Sequence, residues 1–266
     1  MSELPFKYSI RTRPARISGS PDSIGDGFVR TLDALSESNP SVFTNWEVID
    51  LPAKSSLPLA VARSRIGTMI ENNVARDQLG EPDPHYGYDA MAFTRVDDRS
   101  RGIHLWINAG GKHDGQVWLQ TGAPKAPVDL SIVTLPIFKA ALLALVANWA
   151  LPWICARAFR SNYAMVPVHG GAGFKLESRP MLPQEPTFPM SPFEIPWIGY
   201  LSADLATGVK LTPEIETERT TDGGFLMIAT DDRLDPDNPE HLRRARVIAE
   251  TMIACTGWKS NGDTQR

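Results

Sequence analysis

Along the first third of the chain the apolar positions change period twice. Phe6, Tyr8 and Ile10 alternate with Lys7, Ser9 and Arg11, a spacing of two that predicts a half-buried strand. Ile24, Phe28, Leu32 and Leu35 then fall at helical spacing, with Asp22 or Ser23 as the cap. Trp46 to Leu51 has the length and composition of another strand. Leu59, Ala62, Ile66, Met69 and Ile70 trace a second amphipathic helix that ends near Leu79 and Gly80.

The middle of the chain is strand-like over Ala90 to Arg95, Gly102 to Asn108 and Gln116 to Gln120. Gly110, Gly111 and Gly115 supply the turn between the last two, so the three predict an antiparallel meander. Leu135 to Leu151 is the most apolar helix, stopped by Pro152. A membrane span needs about 20 predominantly apolar residues, and Lys139, Asn148 and Pro152 interrupt this one, so it is a core helix.

Prolines at 180, 183, 186, 189, 192 and 196 exclude a helix or a central strand from that stretch, which is read as a stiff connection between two halves. Strands follow near Trp197 to Leu201 and Glu214 to Glu218. The chain then repeats its strand-to-helix alternation once more: Gly223 and Gly224 mark a turn, Phe225 to Thr230 is a short apolar strand, and Asp231 to Pro239 is an acidic loop. Asn238 is a good N-cap, Pro239 suits the first helical position, and Glu240 puts a negative charge at the positive end of the helix dipole. Leu242, Ala245, Ile248, Ala249 and Met252 share one face of that helix, opposite Arg243, Arg244 and Glu250. The resulting fold class is α+β: a mixed, mostly antiparallel sheet packed by helices near residues 24–36, 58–78, 135–151 and 239–254. One domain over 1–266 is expected, with room for two halves of similar layout.

Composition narrows the functions such a fold can carry. With 266 residues and 42% hydrophobic content the chain has enough apolar surface for a sizeable core. The opening MSELPFKYSIRTRP lacks the apolar run of a signal peptide, and two cysteines without a CxxC pair fit a reducing compartment, so a cytoplasmic location is expected. A net charge of −4 and a pI near 5.8 argue against a general nucleic-acid binder. The acidic residues gather in three places: Glu81, Asp83 and Asp89; Glu214, Glu216, Glu218 and Asp222; and Asp231, Asp232, Asp235 and Asp237. Each is either a solvated face or a docking surface for a basic partner.

Motifs for catalysis are sparse. His85, His104, His113, His169 and His241 include no pair at the spacing by which one helix holds a metal. His113 and Asp114 lie in a GGKHDG turn, and a polar hairpin tip accounts for them. His169 opens HGGAG, similar to the oxyanion loop of α/β-hydrolases, but no GxSxG elbow accompanies it. Neither GxGxxG nor GxxxxGK[ST] occurs. No lysine has Asp or Glu two residues before it, which removes the acidic-x-Lys signature of restriction-endonuclease-type nucleases. DDRLDPDNPE lacks the glycine that a calcium loop needs. Among the tryptophans, Trp149, Trp153 and Trp197 have core surroundings, whereas Trp46, Trp106 and Trp118 are either core residues or exposed anchors. No enzyme activity, cofactor or metal is expected.

Taken in order, the segments RTRPARIS, PSVFTNW, LGEPDPHYGYDA, WINAGGKHDGQVWLQTGAP, NWALPW, PWIGYLS and GGFLMIATDDRLDPDNPEHLRRA resemble the polymorphic-toxin immunity proteins of the immunity protein 52 family. The likeness spans nearly the whole chain, and the last two segments are the most specific. NWALPW departs from the pattern by carrying Ala150 where an acidic residue is expected, so no role for that carboxylate carries over.

The resemblance implies a non-enzymatic cytoplasmic antidote. Its partner would be a cognate nuclease toxin with a restriction-endonuclease-like fold, delivered between bacteria, often by type VI secretion, with neither nucleic acid nor membrane as a partner. An acidic protein can occupy such a nuclease's basic groove or block its mouth. The motifs carry over no interface residue. From the residues themselves the expected partner-binding set is Glu81, Asp83, Asp231, Asp232, Asp235 and Asp237, whose proline-rich settings hold charge outside the core. A hydrolase using His113, Asp114 and His169, and an adaptor using the proline-rich loop, remain open.

Overall fold

The computed structural model describes residues 6–12, 17–75, 80–112, 115–122, 127–160, 163–167, 174–178, 194–207, 209 and 213–256. One ten-stranded sheet runs through both halves of the chain. From one edge to the other it is built of β11 (Glu216–Arg219), β12 (Phe225–Ile228), β10 (Glu194–Leu201), β7 (Trp153–Arg160), β1 (Phe6–Arg11), β6 (Gln116–Thr121), β5 (Ile103–Ala109), β4 (Tyr88–Thr94), β2 (Trp46–Asp50) and β3 (Ser55–Pro58). Every pairing in it is antiparallel, so the parallel pairs of a mixed sheet are absent among the described strands. The halves meet at β1 and β7, where Phe6–Arg11 runs in register with Arg160–Cys155. A separate hairpin joins β8 (Tyr163–Pro167) to β9 (Phe174–Ser178).

Helices α1 (Pro21–Ser38) and α4 (Leu135–Trp149) pack together on one face, where the Trp149 indole N–H donates to Thr31 Oγ1 at 2.8 Å. That face of the sheet carries Tyr8, Ile10, Leu119, Leu105 and Ala92, all buried. Helix α6 (Pro239–Thr256) covers the opposite face at β10, whose backbone it approaches through Gly199. A Cβ there would lie 2.8 Å from Met252 Sδ and 2.9 Å from Ile248 Cγ2, so only glycine admits the helix this closely. The four-residue helix α5 (Ala203–Ala206) follows β10.

Several expectations change. β1 is not half-buried. It lies mid-sheet, Lys7 and Ser9 are as buried as their neighbours, and Arg157 Nε donates to Ser9 Oγ at 3.2 Å. The cap of α1 is Ser20, which places Pro21 at the start of the helix; neither Asp22 nor Ser23 serves. The helix expected over 58–78 breaks into α2 (Leu59–Ala62), a 3-10 turn at Arg63–Arg65 and α3 (Ile66–Asn72). It stops at Asn73, whose side chain accepts from Leu51 N–H and donates to the Ile49 carbonyl, tying the chain to β2.

Pro196 stands inside β10, in a position the proline run had excluded. At that point β10 pairs only with β7, because its ladder to β12 begins at Ile198 and a register shift separates the two. A proline is tolerated inside a strand at such a bulge, where the regular ladder is already interrupted. Residues 179–193, with the other prolines of the run, lie outside the described residues, as do His113, Asp114 and His169.

Candidate partner-binding surface

The acidic loop after β12 is tied to the core and to the start of α6. Leu234 is fully buried, Pro236 is buried, and the Tyr8 hydroxyl donates to the Leu234 carbonyl at 2.8 Å. Asp235 Oδ1 accepts from Asp237 N–H at 2.9 Å, Asp235 N–H donates to His241 Nδ1 at 3.0 Å, and Asn238 Oδ1 caps α6 by accepting from Glu240 N–H at 3.0 Å. With its apolar residues turned inward and its polar backbone satisfied locally, the loop holds Asp231, Asp232, Asp235 and Asp237 exposed.

Further carboxylates surround it. Glu216 on the edge strand is hydrogen-bonded to the Asp231 carboxyl, which lifts its pKa above the usual carboxylate range, and Glu218 adds to the repulsion. Glu218 accepts from Lys139 of α4. On α6, Glu240 binds Arg243 and Arg244, and these contacts hold its carboxyl down at about 2. Residues 213–240 contain nine carboxylates and two arginines, net −7. Lys139, Arg243 and Arg244 bind carboxylates of this stretch, so its nine carboxylates face five cations, net −4, while the rest of the chain has 22 carboxylates and 22 Lys and Arg. The excess negative charge of the molecule is thus at one end of the sheet.

Glu81 and Asp83 are not part of this pole. Asp83 caps a 3-10 turn at Pro84–Tyr86, accepting from His85 N–H at 2.8 Å, and is half-buried; Glu81 is exposed. Their loop precedes β4, which lies six strand pairings from β12. At ~4.8 Å per pairing that is roughly 29 Å. Six antiparallel steps leave β4 and β12 running the same way, so a loop before one and a loop after the other lie at opposite ends of the strands. The six expected contact residues form two separate sites.

The face of β4, β5, β6 and β1 opposite α1 and α4 carries a constellation that the sequence alone does not assemble. One row across the strands is Met91, Trp106, Trp118 and Arg11. The two indoles lie 6.1 Å apart, and the Arg11 guanidinium sits over Trp118 at 5.0 Å. The next row toward the β5–β6 turn holds Asp89, Asn108 and Gln116. Asp89 accepts from Trp106 Nε1 at 2.9 Å and Asn108 Nδ2 at 2.8 Å; burial raises its pKa, and those two bonds oppose the rise. In the row on the other side, burial and the Lys7 charge lower His104 to about 4, and burial lowers Lys7 to about 8. Trp118 Nε1 is buried without an acceptor among the described residues. Alternation within each strand was legible, whereas the register that aligns the rows depends on turns and long-range pairing. Trp46, a possible exposed anchor, is instead 4% exposed and stacked on Phe43.

Among the described residues no group of His, Cys, Asp and Glu side chains is placed to hold a metal ion, and no helix is long and apolar enough to cross a membrane. No protein-family model matches the chain, and comparison with curated proteins gives no match.

Proposed function

We propose that the protein is a non-enzymatic cytoplasmic immunity protein that binds a cognate nuclease toxin and neutralises it stoichiometrically. The resemblance of the sequence to the immunity protein 52 family motivates the reading. The observation that carries it is the charge polarity: an excess of four carboxylates, displayed from an edge strand and a loop tied to the core, in a chain whose remaining charges balance. A nuclease that grips nucleic acid presents a basic groove. An anionic pole is steered toward such a groove and can cover it.

The test is to purify the chain with the product of an adjoining gene that encodes a nuclease domain. A one-to-one complex whose nuclease activity is lost at equimolar protein supports the proposal. Turnover-dependent inactivation of the toxin, or full nuclease activity in the presence of excess protein, contradicts it.

A further inference from the structure

Among the described strands β11 ends the sheet, and its pairing fixes which backbone groups face outward. Thr220 N–H donates at 3.0 Å to the carbonyl of Gly224, the residue opposite it. Hydrogen-bonded and non-hydrogen-bonded pairs alternate along an antiparallel ladder. Glu218 and Glu216 therefore turn their N–H and C=O groups toward Leu226 and Ile228 of β12, while those of Arg219 and Thr217 point away from the sheet. Neither of these two has another backbone hydrogen bond among the described residues. The strand contains no proline and keeps one register against β12, so its backbone carries no block to a further strand. Its side chains divide the same way. Glu216 and Glu218 stand on the face that α4 covers, where Lys139 of α4 binds Glu218 and the Glu216 carboxyl is hydrogen-bonded to that of Asp231. Three carboxylates thus meet one lysine at this rim, and two of them are in direct contact.

Such an edge selects its partner by charge. In antiparallel registers that join outward-facing residues, pairing Thr217 with the same residue of a second copy sets Glu216 opposite Glu218, and pairing Thr217 with Arg219 sets Glu218 opposite Glu218. Like charges directly opposite each other destabilise a strand pair. A strand with lysine or arginine opposite Glu216 and Glu218 meets the reverse condition, and these are the non-hydrogen-bonded positions, where facing side chains lie closest. We infer that the outer edge of β11 adds an extended segment of a basic protein partner, joined through the backbone of Thr217 and Arg219 and carrying a cationic residue opposite each of Glu216 and Glu218. The inference deepens the proposed function and rests on it for the class of partner, a basic toxin surface: the acidic pole steers the partner and the edge holds it.

The probe is the peptide acetyl-Thr-Lys-Val-Lys-Thr-amide, titrated into the full-length, isotope-labelled protein and followed by amide NMR and hydrogen exchange. Saturable shifts over Glu216–Arg219 are expected, with exchange of the Thr217 and Arg219 amides slowed several-fold and no comparable change at Glu216 and Glu218, which already pair with β12. The same peptide N-methylated at its valine keeps both charges, loses the central N–H, and should bind several-fold more weakly. The Thr217→Pro variant should weaken binding of the unmodified peptide to a similar extent, because it lacks the outward donor at a position where an edge strand tolerates proline; unchanged signals elsewhere verify its fold. Absence of saturable binding, equal binding of the methylated peptide, or undiminished binding by the folded variant overturns the inference. Protection of the Thr217 and Arg219 amides by dimerisation without peptide overturns it as well. Stoichiometric toxin inhibition, measured separately, remains the criterion for the proposed function in each case.

Discussion

Ala150 and His104 show how single residues store free energy here. Ala150 ends α4 with φ +46°, a left-handed conformation that normally falls to glycine or asparagine. Replacing Ala150 with Gly removes the Cβ conflict, and the variant should gain up to about 1 kcal/mol in denaturant unfolding despite the added freedom of its unfolded chain. His104 stays neutral because its surroundings lower it from 6.5 to about 4. Between those values the unfolded chain binds the extra proton, so stability falls as pH drops from 6.5 toward 4. The loss should be roughly 2–3 kcal/mol, and a His104→Gln variant should lack it. Lys7, lowered from 10.5 to about 8, has the matching sign on the alkaline side: its contribution makes stability rise with pH from 8 to 10.5.

At the scale of elements, the periodic apolar faces were legible and their surroundings were not. α1, α4 and α6 appear where Leu32, Leu145 and Ile248 repeat at helical spacing, and Asn238 caps α6 as its sequence indicates. β7 was missed because its residues 153–158 are buried on both faces, so its buried Arg157 interrupts an apolar run instead of marking a solvent face. Pro196 misled in a similar way, since its tolerance depends on the register shift that β10 makes against β7 there. The packing of α6 makes a direct prediction. Gly199→Ala drives a methyl into Met252 and Ile248, and should cost about 1–3 kcal/mol in thermal or denaturant unfolding while leaving the acidic loop sequence intact.

For the molecule as a whole, the sequence held the charges of the candidate site but not their arrangement. Asp231, Asp232, Asp235 and Asp237 are exposed together because Leu234 and Pro236 pin the loop between them, whereas Glu81 and Asp83 belong to the far end of the sheet. A single acidic pole predicts toxin association that slows as salt rises, since exposed charges farther apart than about 8 Å are largely screened at physiological ionic strength. Asp235 and Asp237 also shape the turn before α6, which leaves Asp231 and Asp232 as the cleaner sites to alter. The most direct measurement is the association rate of the Asp231→Lys, Asp232→Lys variant with the nuclease at low salt, alongside its spectrum as a check of folding. The account predicts a folded protein that associates at least several-fold more slowly and protects toxin-expressing cells less well. An unchanged association rate in a folded variant contradicts it.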